Sequence, residues 1–217
     1  MVQFLLERGA DPRRWSSLYG SSLLSIVAHR APAQLVEYVC DELGFEVTDL
    51  DHEQRNAFHL VFTGSVMLTP DKVEWLCERV DDISQMLGAR DAHGRLPLHL
   101  ACGRGTLDKI SPLLKGPLKD WVNELDNDGW TPLHWACRHW DVVIVKILIE
   151  AGADPDFRTH HNMDAWDIAV LSGNRDFASF LGKDPGAPSS QVPEEKHKNR
   201  CNSCLACRRS TARDTNV

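Results

Sequence analysis

The residues best suited to chemistry lie near the C-terminus, where three cysteines follow a histidine. His197 precedes Cys201, Cys204 and Cys207, and one imidazole with three thiolates is a donor set that suits tetrahedral zinc. Structural zinc sites usually pair two knuckles across a longer loop, whereas these four donors are confined to residues 197–207. The tail therefore allows three interpretations: a solvated segment without metal, a weak or partner-completed zinc site, and reactive or lipid-modified thiols.

Two histidines in the body of the chain, His99 and His134, have the same ligand chemistry in a different setting. They are 35 residues apart, and neither has a cysteine or aspartate partner at ligand spacing. We therefore predict a structural role for both and no metal site. By the same reasoning, Cys102 and Cys137 are predicted to be small core residues.

No arrangement of residues in the sequence indicates catalysis. The segment Cys102-Gly103-Arg104-Gly105 lacks the preceding strand and the lysine of a phosphate-binding loop. A Gly-x-Ser-x-Gly nucleophile elbow is also absent from the sequence. We predict that the chain is not an enzyme and has no cofactor, zinc at the tail being the one exception considered.

Composition and charge exclude some classes of function. The 217 residues are 42% hydrophobic, which allows a sizeable core, and no stretch approaches the roughly 20 apolar residues of a membrane helix. Residues 183–217 carry seven basic and four acidic side chains (+3), so the remaining −10 of the net −7 belongs to residues 1–182. An acidic body argues against nucleic acid as partner. Scattered thiols without a signal peptide predict the cytoplasm or nucleus.

A twelve-residue motif recurs along the chain. Residues 126–137 (DNDGWTPLHWAC) repeat residues 91–102 (DAHGRLPLHLAC), and weaker copies begin near Ser21, Asn56 and Asp164. A second motif recurs between them, since residues 147–155 (ILIEAGADP) match residues 4–12 (FLLERGADP). The period is near 33 residues. Self-similarity at this period indicates stacked structural repeats.

The residues of the motif predict a turn, a helix, a second turn and a second helix. Asp128-Gly129 favours a hairpin turn, because glycine tolerates positive φ. Thr131 is a suitable N-cap, and Pro132 can then occupy the first helical position. Gly152 is expected to end the second helix in a left-handed conformation. One such unit cannot bury both of its faces, so the units must stack.

These motifs and their period resemble the ankyrin-repeat family over residues 1–182. The resemblance implies an all-α solenoid of stacked helix-turn-helix units with short hairpin loops, in about five repeats of which the first is incomplete. It also implies that the motif histidine braces the turn by hydrogen bonds. Residues 183–217 have linker composition and are expected to be disordered. Their histidine and cysteines also resemble the start of a ZZ-type zinc finger, whose other ligands are absent.

The resemblance implies a function in binding: a scaffold or adaptor that holds a protein or peptide at the hairpin tips and the concave face of the first helices. A regulatory or inhibitory subunit that masks a partner surface, and a module with a zinc-binding tail, are the alternatives. The chain is expected to be monomeric, without membrane contact. The candidate partner-binding residues are His93, Arg95 and Arg104 in the third repeat; Asn127, Asp128, Trp130, Arg138 and His139 in the fourth; and His160, His161, Met163 and Leu171 in the fifth. Trp130 is the strongest candidate, because its position predicts no role in the core.

Several segments depart from the pattern. The sequence opens inside a second helix, so a truncated array is expected. Residues 63–68 lengthen the second repeat, and Pro112 with the insertion 115–121 predicts a short or kinked helix in the third. Trp140 stands where the family usually has glycine between helices, and partial exposure is expected for it.

Because the third to fifth repeats agree best with one another, they should form the most stable block. Native-state hydrogen exchange is expected to show stronger protection in residues 131–150 than in residues 20–62. Stronger protection in the N-terminal segment would contradict this expectation.

Overall fold

The computed structural model describes residues 8–9, 23–63, 69–104, 117–139 and 141–184. Within these ranges the regular elements are helical, and no β-strand occurs. The helices are α1 (Leu23–Arg30), α2 (Ala33–Asp41), α3 (Ala57–Thr63), α4 (Pro70–Glu78), α5 (Ile83–Gly88), α6 (Pro97–Cys102), α7 (Pro132–Arg138), α8 (Val142–Glu150) and α9 (Ala165–Leu171), with 3₁₀ turns at Pro117–Trp121 and Arg175–Phe177. The predicted all-α class is confirmed. None of the described helices combines the length and apolar character needed to cross a bilayer.

The helices form two layers. The short inner helices α1, α3, α6, α7 and α9 contact one another in this order, and α2, α4, α5 and α8 pack behind them. Ala101, Ala136 and Ala169 occupy equivalent positions on successive inner helices and are fully buried. Their small side chains let neighbouring helices approach closely, as the motif predicts. The motif cysteines Cys102 and Cys137 are buried beside them, which confirms their prediction as core residues.

Hairpin turns join the repeats, and an aspartate organises each of the best-formed ones. Oδ1 of Asp126 accepts the backbone N–H groups of Asp128 and Trp130, at 3.0 and 2.8 Å. Gly129 then adopts φ +73°, which favours glycine. A Cβ atom there would also lie 2.9 Å from the backbone nitrogen of His160 in the next hairpin. The predicted Asp-Gly turn is therefore needed both for its conformation and for stacking.

Backbone hydrogen bonds link each hairpin to the next. The amide of one tip donates to a carbonyl in the preceding tip, so the hairpins form a continuous row. The three pairs are Ala92 to Glu53 at 2.8 Å, Asn127 to His93 at 3.1 Å, and His160 to Asp128 at 3.3 Å.

The motif histidines form a second link between repeats. His99 is fully buried, and its Nδ1 accepts the N–H of Leu96 at 3.0 Å. Its Nε2 lies 3.1 Å from the carbonyl oxygens of both Glu124 and Trp130, in the next repeat. An imidazole that accepts at Nδ1 must carry its proton on Nε2, so the ring is neutral and donates to the following hairpin. Burial lowers the pKa of His99 to about 4, against the opposing effect of the Asp126 carboxylate.

The same link occurs one repeat earlier and is looser one repeat later. Nε2 of His59 donates to the carbonyl of Arg95 at 3.0 Å. His134 is equally buried, and the carbonyls of Met163 and Phe157 face its ring, although no atom of the described residues meets hydrogen-bond geometry at its Nε2. Burial lowers the pKa of both histidines. The predicted bracing role is thus a link between repeats as well as a turn support.

The fifth repeat has Asp167 at the histidine position. Its Oδ2 accepts the N–H of Asp164 at 3.2 Å, and its own N–H donates to Oδ1 of Asp164 at 2.8 Å. The carboxylate therefore closes a capping box within its own repeat. It has no proton to donate to a following hairpin.

A buried lysine joins the first two repeats. Lys72 in α4 is 1% exposed, and its Nζ donates to the carbonyls of Ala28 at 2.6 Å and Ala31 at 2.8 Å. In a longer helix the Ala28 carbonyl would accept from the residue four positions later, but that residue is Pro32, which has no N–H. Lys72 supplies the missing donor. Burial lowers its pKa to about 8.

Helix ends confirm several sequence predictions and correct one. The Thr131 hydroxyl accepts from the N–H of His134 at 3.4 Å, and Pro132 follows at the first helical position. Gly152 ends α8 with φ +98°. Residues 175–181 mix polar and apolar side chains, which predicts a capping helix at the end of the array. That prediction is wrong, because only the 3₁₀ turn Arg175–Phe177 forms. The N–H of Lys183 donates to the Ala178 carbonyl at 2.9 Å, which closes the chain after little more than one turn.

Other predictions concern residues outside the described ranges. These are the opening half-repeat, most of the connection 63–68, the segment around Pro112, Trp140 and the tail. The division into an array at 1–182 and a tail at 183–217 stays a prediction.

The neutral histidines make stability depend on pH. The folded-state pKa of His99, about 4, lies below the ordinary value of 6.5, so the unfolded chain binds more protons between these limits. Stability should be complete above pH 6.5 and fall as the pH drops toward 4. From pH 7.5 to 5.0 this one group should cost about 2 kcal/mol of unfolding free energy.

Denaturant unfolding at the two pH values measures this dependence. His99→Gln should be less stable than the parent at pH 7.5 and should lose about that part of the pH dependence. His161→Gln, at an exposed hairpin tip, is the matched control and should keep the full dependence. An unchanged pH dependence in His99→Gln would contradict the assignment.

Candidate partner-binding surface

An aromatic cluster lies on the inner-helix side of the fourth repeat. We define the fourth-repeat cluster as Trp130, Trp135, Arg138 and His139. The Trp130 and Trp135 ring centroids are 5.9 Å apart, and the His139 ring stacks on Trp135 at 6.4 Å with an interplanar angle of 4°. The Arg138 guanidinium lies 5.6 Å from the Trp130 centroid, which is a cation–π distance.

Helix geometry assembles this cluster. Trp135, Arg138 and His139 stand at i, i+3 and i+4 along the end of α7 and therefore share one face. Trp135 also packs on the preceding repeat, because a Cβ atom at Gly103 would lie 2.9 Å from the Trp135 ring. A glycine at position 103 therefore lets the ring contact the third repeat.

Trp135 replaces an arginine contact found in the earlier hairpins. In the second and third repeats, Nε of Arg55 and Arg95 donates to the carboxylates of Asp51 and Asp91. The equivalent hairpin position in the fourth repeat is Trp130. The carboxylate of Asp126 accepts instead from the indole Nε1–H of Trp135, at 2.9 Å. The two tryptophans together thus take the place of one arginine.

This arrangement corrects the expectation that Trp130 has no role in the core. Trp130 is half-buried and packs against core residues, and it also contacts His134. Part of the Trp130 side chain is exposed, next to the guanidinium of Arg138. Trp135 was not among the predicted site residues. A tryptophan where neighbouring repeats have Leu60, Leu100 and Ile168 was the signal that could have indicated it.

Basic side chains stand at the C-terminal ends of the inner helices. We define the basic row as His29, Arg30, Arg104, Arg138 and His139. These residues hold equivalent positions at the ends of α1, α6 and α7. Nδ1 of His29 lies 3.0 Å from the Thr63 hydroxyl at the end of α3, which places the first and second repeats side by side in this row.

The neighbouring arginines affect the pKa of the two histidines in the row. Burial lowers the pKa of His29, and Arg30 and Arg104 lower it further, against a hydrogen bond with the Leu60 backbone. Burial lowers the pKa of His139, and Arg138 and Arg104 add to the effect. Arg104 thus acts on histidines of both the first and the fourth repeats.

The predicted site residues fall into three groups. Arg104, Arg138 and His139 meet in the basic row, with Trp130 beside them. His93, Asn127, Asp128, His160 and His161 are exposed at the hairpin tips, which the row of backbone hydrogen bonds aligns. Met163 packs partly against the core, and Leu171 is 54% exposed at the end of α9.

Arg95 differs from the other candidates. Its guanidinium pairs with Asp91 at 2.7 Å and lies 3.9 Å from Glu53 of the preceding hairpin. Its side chain is 19% exposed, so most of its binding capacity is used inside the chain.

The thiols and possible metal ligands add no second site within the described ranges. Burial raises the pKa of Cys102 and Cys137 well above its usual range, which keeps both thiols protonated. Among the residues that the structure describes, no group of three or more His, Cys, Asp and Glu side chains could hold a metal ion. The predicted donors His197, Cys201, Cys204 and Cys207 lie outside those residues, and zinc there stays a prediction.

Comparison with known proteins finds ankyrin repeats in three copies, matched within residues 67–159 and 98–189. The ankyrin repeat domain-containing protein SAT10 of Stachybotrys chartarum is 30% identical over 154 residues, 69% of this chain and 8% of that protein. Human NAD-capped RNA hydrolase NUDT12 is 31% identical over 101 residues, 44% of this chain and 22% of that protein. Human transient receptor potential cation channel subfamily A member 1 is 26% identical over 137 residues, 63% of this chain and 11% of that protein.

The chain thus spans less than a quarter of the length of each of these relatives. The activities of those whole proteins are therefore not assigned to it. Ankyrin repeats are a non-catalytic fold that mediates protein–protein interaction. The matched segments together cover more than half of the 217 residues, and the stacked helix pairs and hairpins described above lie largely within them. The chain belongs to the ankyrin-repeat family.

Proposed function

We propose that this chain is a scaffold or adaptor that binds a protein partner on its inner-helix side, with the fourth-repeat cluster as the main anchor. The observation that carries the proposal is the position of two partly exposed tryptophans, Trp130 in the hairpin and Trp135 on α7, next to Arg138. Tryptophan and arginine are enriched among residues that dominate binding energy. Their half-burial fixes their orientation, so little conformational entropy is lost on binding.

The hairpin tips extend this surface. Their exposed side chains include three histidines, an asparagine and an aspartate, and backbone hydrogen bonds hold successive tips in register. A partner that contacts the cluster could therefore also contact His93, Asp128 or His160. Such polar groups suit the rim of an interface, where specificity is set.

The setting of the function is inferred from the sequence. Among the described residues, Cys40, Cys77, Cys102 and Cys137 are free thiols, which suits a reducing compartment such as the cytoplasm or nucleus. We also infer a monomer without nucleic-acid or cofactor requirement. An adaptor and an inhibitory subunit would use the same surface, and the identity of the partner distinguishes them.

Affinity capture with the full chain as bait tests the proposal. Trp130→Ala combined with Arg138→Glu should reduce capture of the partner at least ~10-fold, because both anchors are lost. The matched control is Val143→Ala with Lys146→Glu on the outer helix α8, where both side chains are exposed. It should capture as the parent does.

Circular dichroism and thermal unfolding must show that both double variants are folded. Equal capture by the parent and the cluster variant would contradict the proposal, and so would equal loss in the cluster and outer-helix variants.

A further inference from the structure

The basic row contrasts with the rest of a strongly acidic chain. Residues 1–182 carry a net charge of −10, from which an extended positive surface would not be expected. Yet the row places His29, Arg30, Arg104, Arg138 and His139 at the ends of three inner helices. Its position next to the fourth-repeat cluster makes it part of the same surface.

Two arginines of the row also differ from arginines elsewhere in the way they are paired. Arg79 pairs with Asp41, and Arg90 pairs with Glu124. Arg55, Arg95 and Arg158 have carboxylate partners as well. Within the described ranges, by contrast, Arg30 and Arg104 are exposed and form no ion pair.

Two carboxylates near the fourth-repeat end of the row, Asp126 and Asp141, are engaged in the fold. Asp126 accepts two backbone N–H groups and the Trp135 indole. Asp141 caps α8 by accepting from Val143 and Ile144. These acidic groups stabilise turns and helix starts. Because no described carboxylate forms an ion pair with Arg30 or Arg104, the positive charges of these two arginines are left for a ligand.

We propose that the partner presents an acidic segment of protein chain, whose carboxylates pair with Arg30 and Arg104 along the basic row while an apolar or aromatic side chain contacts Trp130. This inference rests on the proposed function and names the chemistry of the partner. Guanidinium groups bind carboxylates through paired hydrogen bonds, and tryptophan faces accept apolar side chains.

The spacing of the row suits an extended segment. Neighbouring packed helices lie about 8–10 Å apart. An extended chain advances about 3.3 Å per residue, so carboxylates about six residues apart can reach Arg30 and Arg104, which stand two repeats apart. A segment with Asp or Glu at every third position and one aromatic residue near its end matches this pattern.

The test uses the full chain and a fluorescein-labelled peptide of five Glu-Ser-Gly units, with the serine of the fourth unit replaced by Phe. Fluorescence anisotropy should give binding at least ~10-fold tighter than for the same peptide with every Glu changed to Gln. Arg30→Gln with Arg104→Gln should weaken binding of the Glu peptide at least ~10-fold. The matched control, Arg79→Gln with Arg90→Gln, removes the same charge from exposed sites and should change binding less than ~2-fold.

Thermal unfolding confirms that both double variants are folded. Equal binding of the Glu and Gln peptides, or equal weakening in the two arginine variants, would overturn the proposal. So would a single-stranded DNA oligonucleotide that binds more tightly than the Glu peptide and depends on Arg30 and Arg104. A protein captured through Trp130 and Arg138 but unaffected by Arg30→Gln with Arg104→Gln would overturn only the acidic chemistry and leave the proposed function standing.

Discussion

The link from a buried histidine to the carbonyl groups of the next hairpin is the interaction on which the rest of this structure depends. His99 accepts a backbone N–H of its own repeat at Nδ1 and faces two carbonyls of the next repeat with Nε2. One neutral ring thereby joins buried backbone polar groups of two repeats. This link requires a proton on Nε2 and none on Nδ1, and burial enforces that state by lowering the pKa of His99.

Because the repeats are held in this register, side chains far apart in sequence become neighbours. The ends of the inner helices align, which brings Arg104 near both His29 and His139. The close approach of α6 and α7 puts Trp135 over Gly103. The surface we propose for binding is thus a product of stacking, and its shape is fixed before any partner arrives.

The sequence predicted features that are decided locally. The Asp128-Gly129 turn, the Thr131 cap and the small residue at position 136 follow from φ preference, capping and close helix approach, each within a few residues. Lys72 was not predictable in this way, because its partner Ala28 is 44 residues away and the need for it arises from a proline in a different repeat.

The aromatic cluster shows the same limit at the candidate site. The motif alignment places Trp130 and Arg138 on the surface. The role of Trp135 depends on the Asp126 carboxylate, which has no arginine at the usual hairpin position to pair with. The absence of the predicted terminal helix has a local cause. Its composition allows a helix, but a backbone bond from Lys183 to Ala178 closes the segment first. Long-range contacts, which no single segment encodes, decide the roles of Lys72 and Trp135.

The tautomer and charge of the His99 ring test the central claim most directly. A long-range ¹H–¹⁵N correlation spectrum of the full chain at pH 5.5 reports both ring nitrogens. The account predicts a neutral imidazole with the proton on Nε2 and an unprotonated Nδ1, although the ordinary pKa of 6.5 would leave it mostly charged. A doubly protonated ring, or a proton on Nδ1, would contradict the link between repeats.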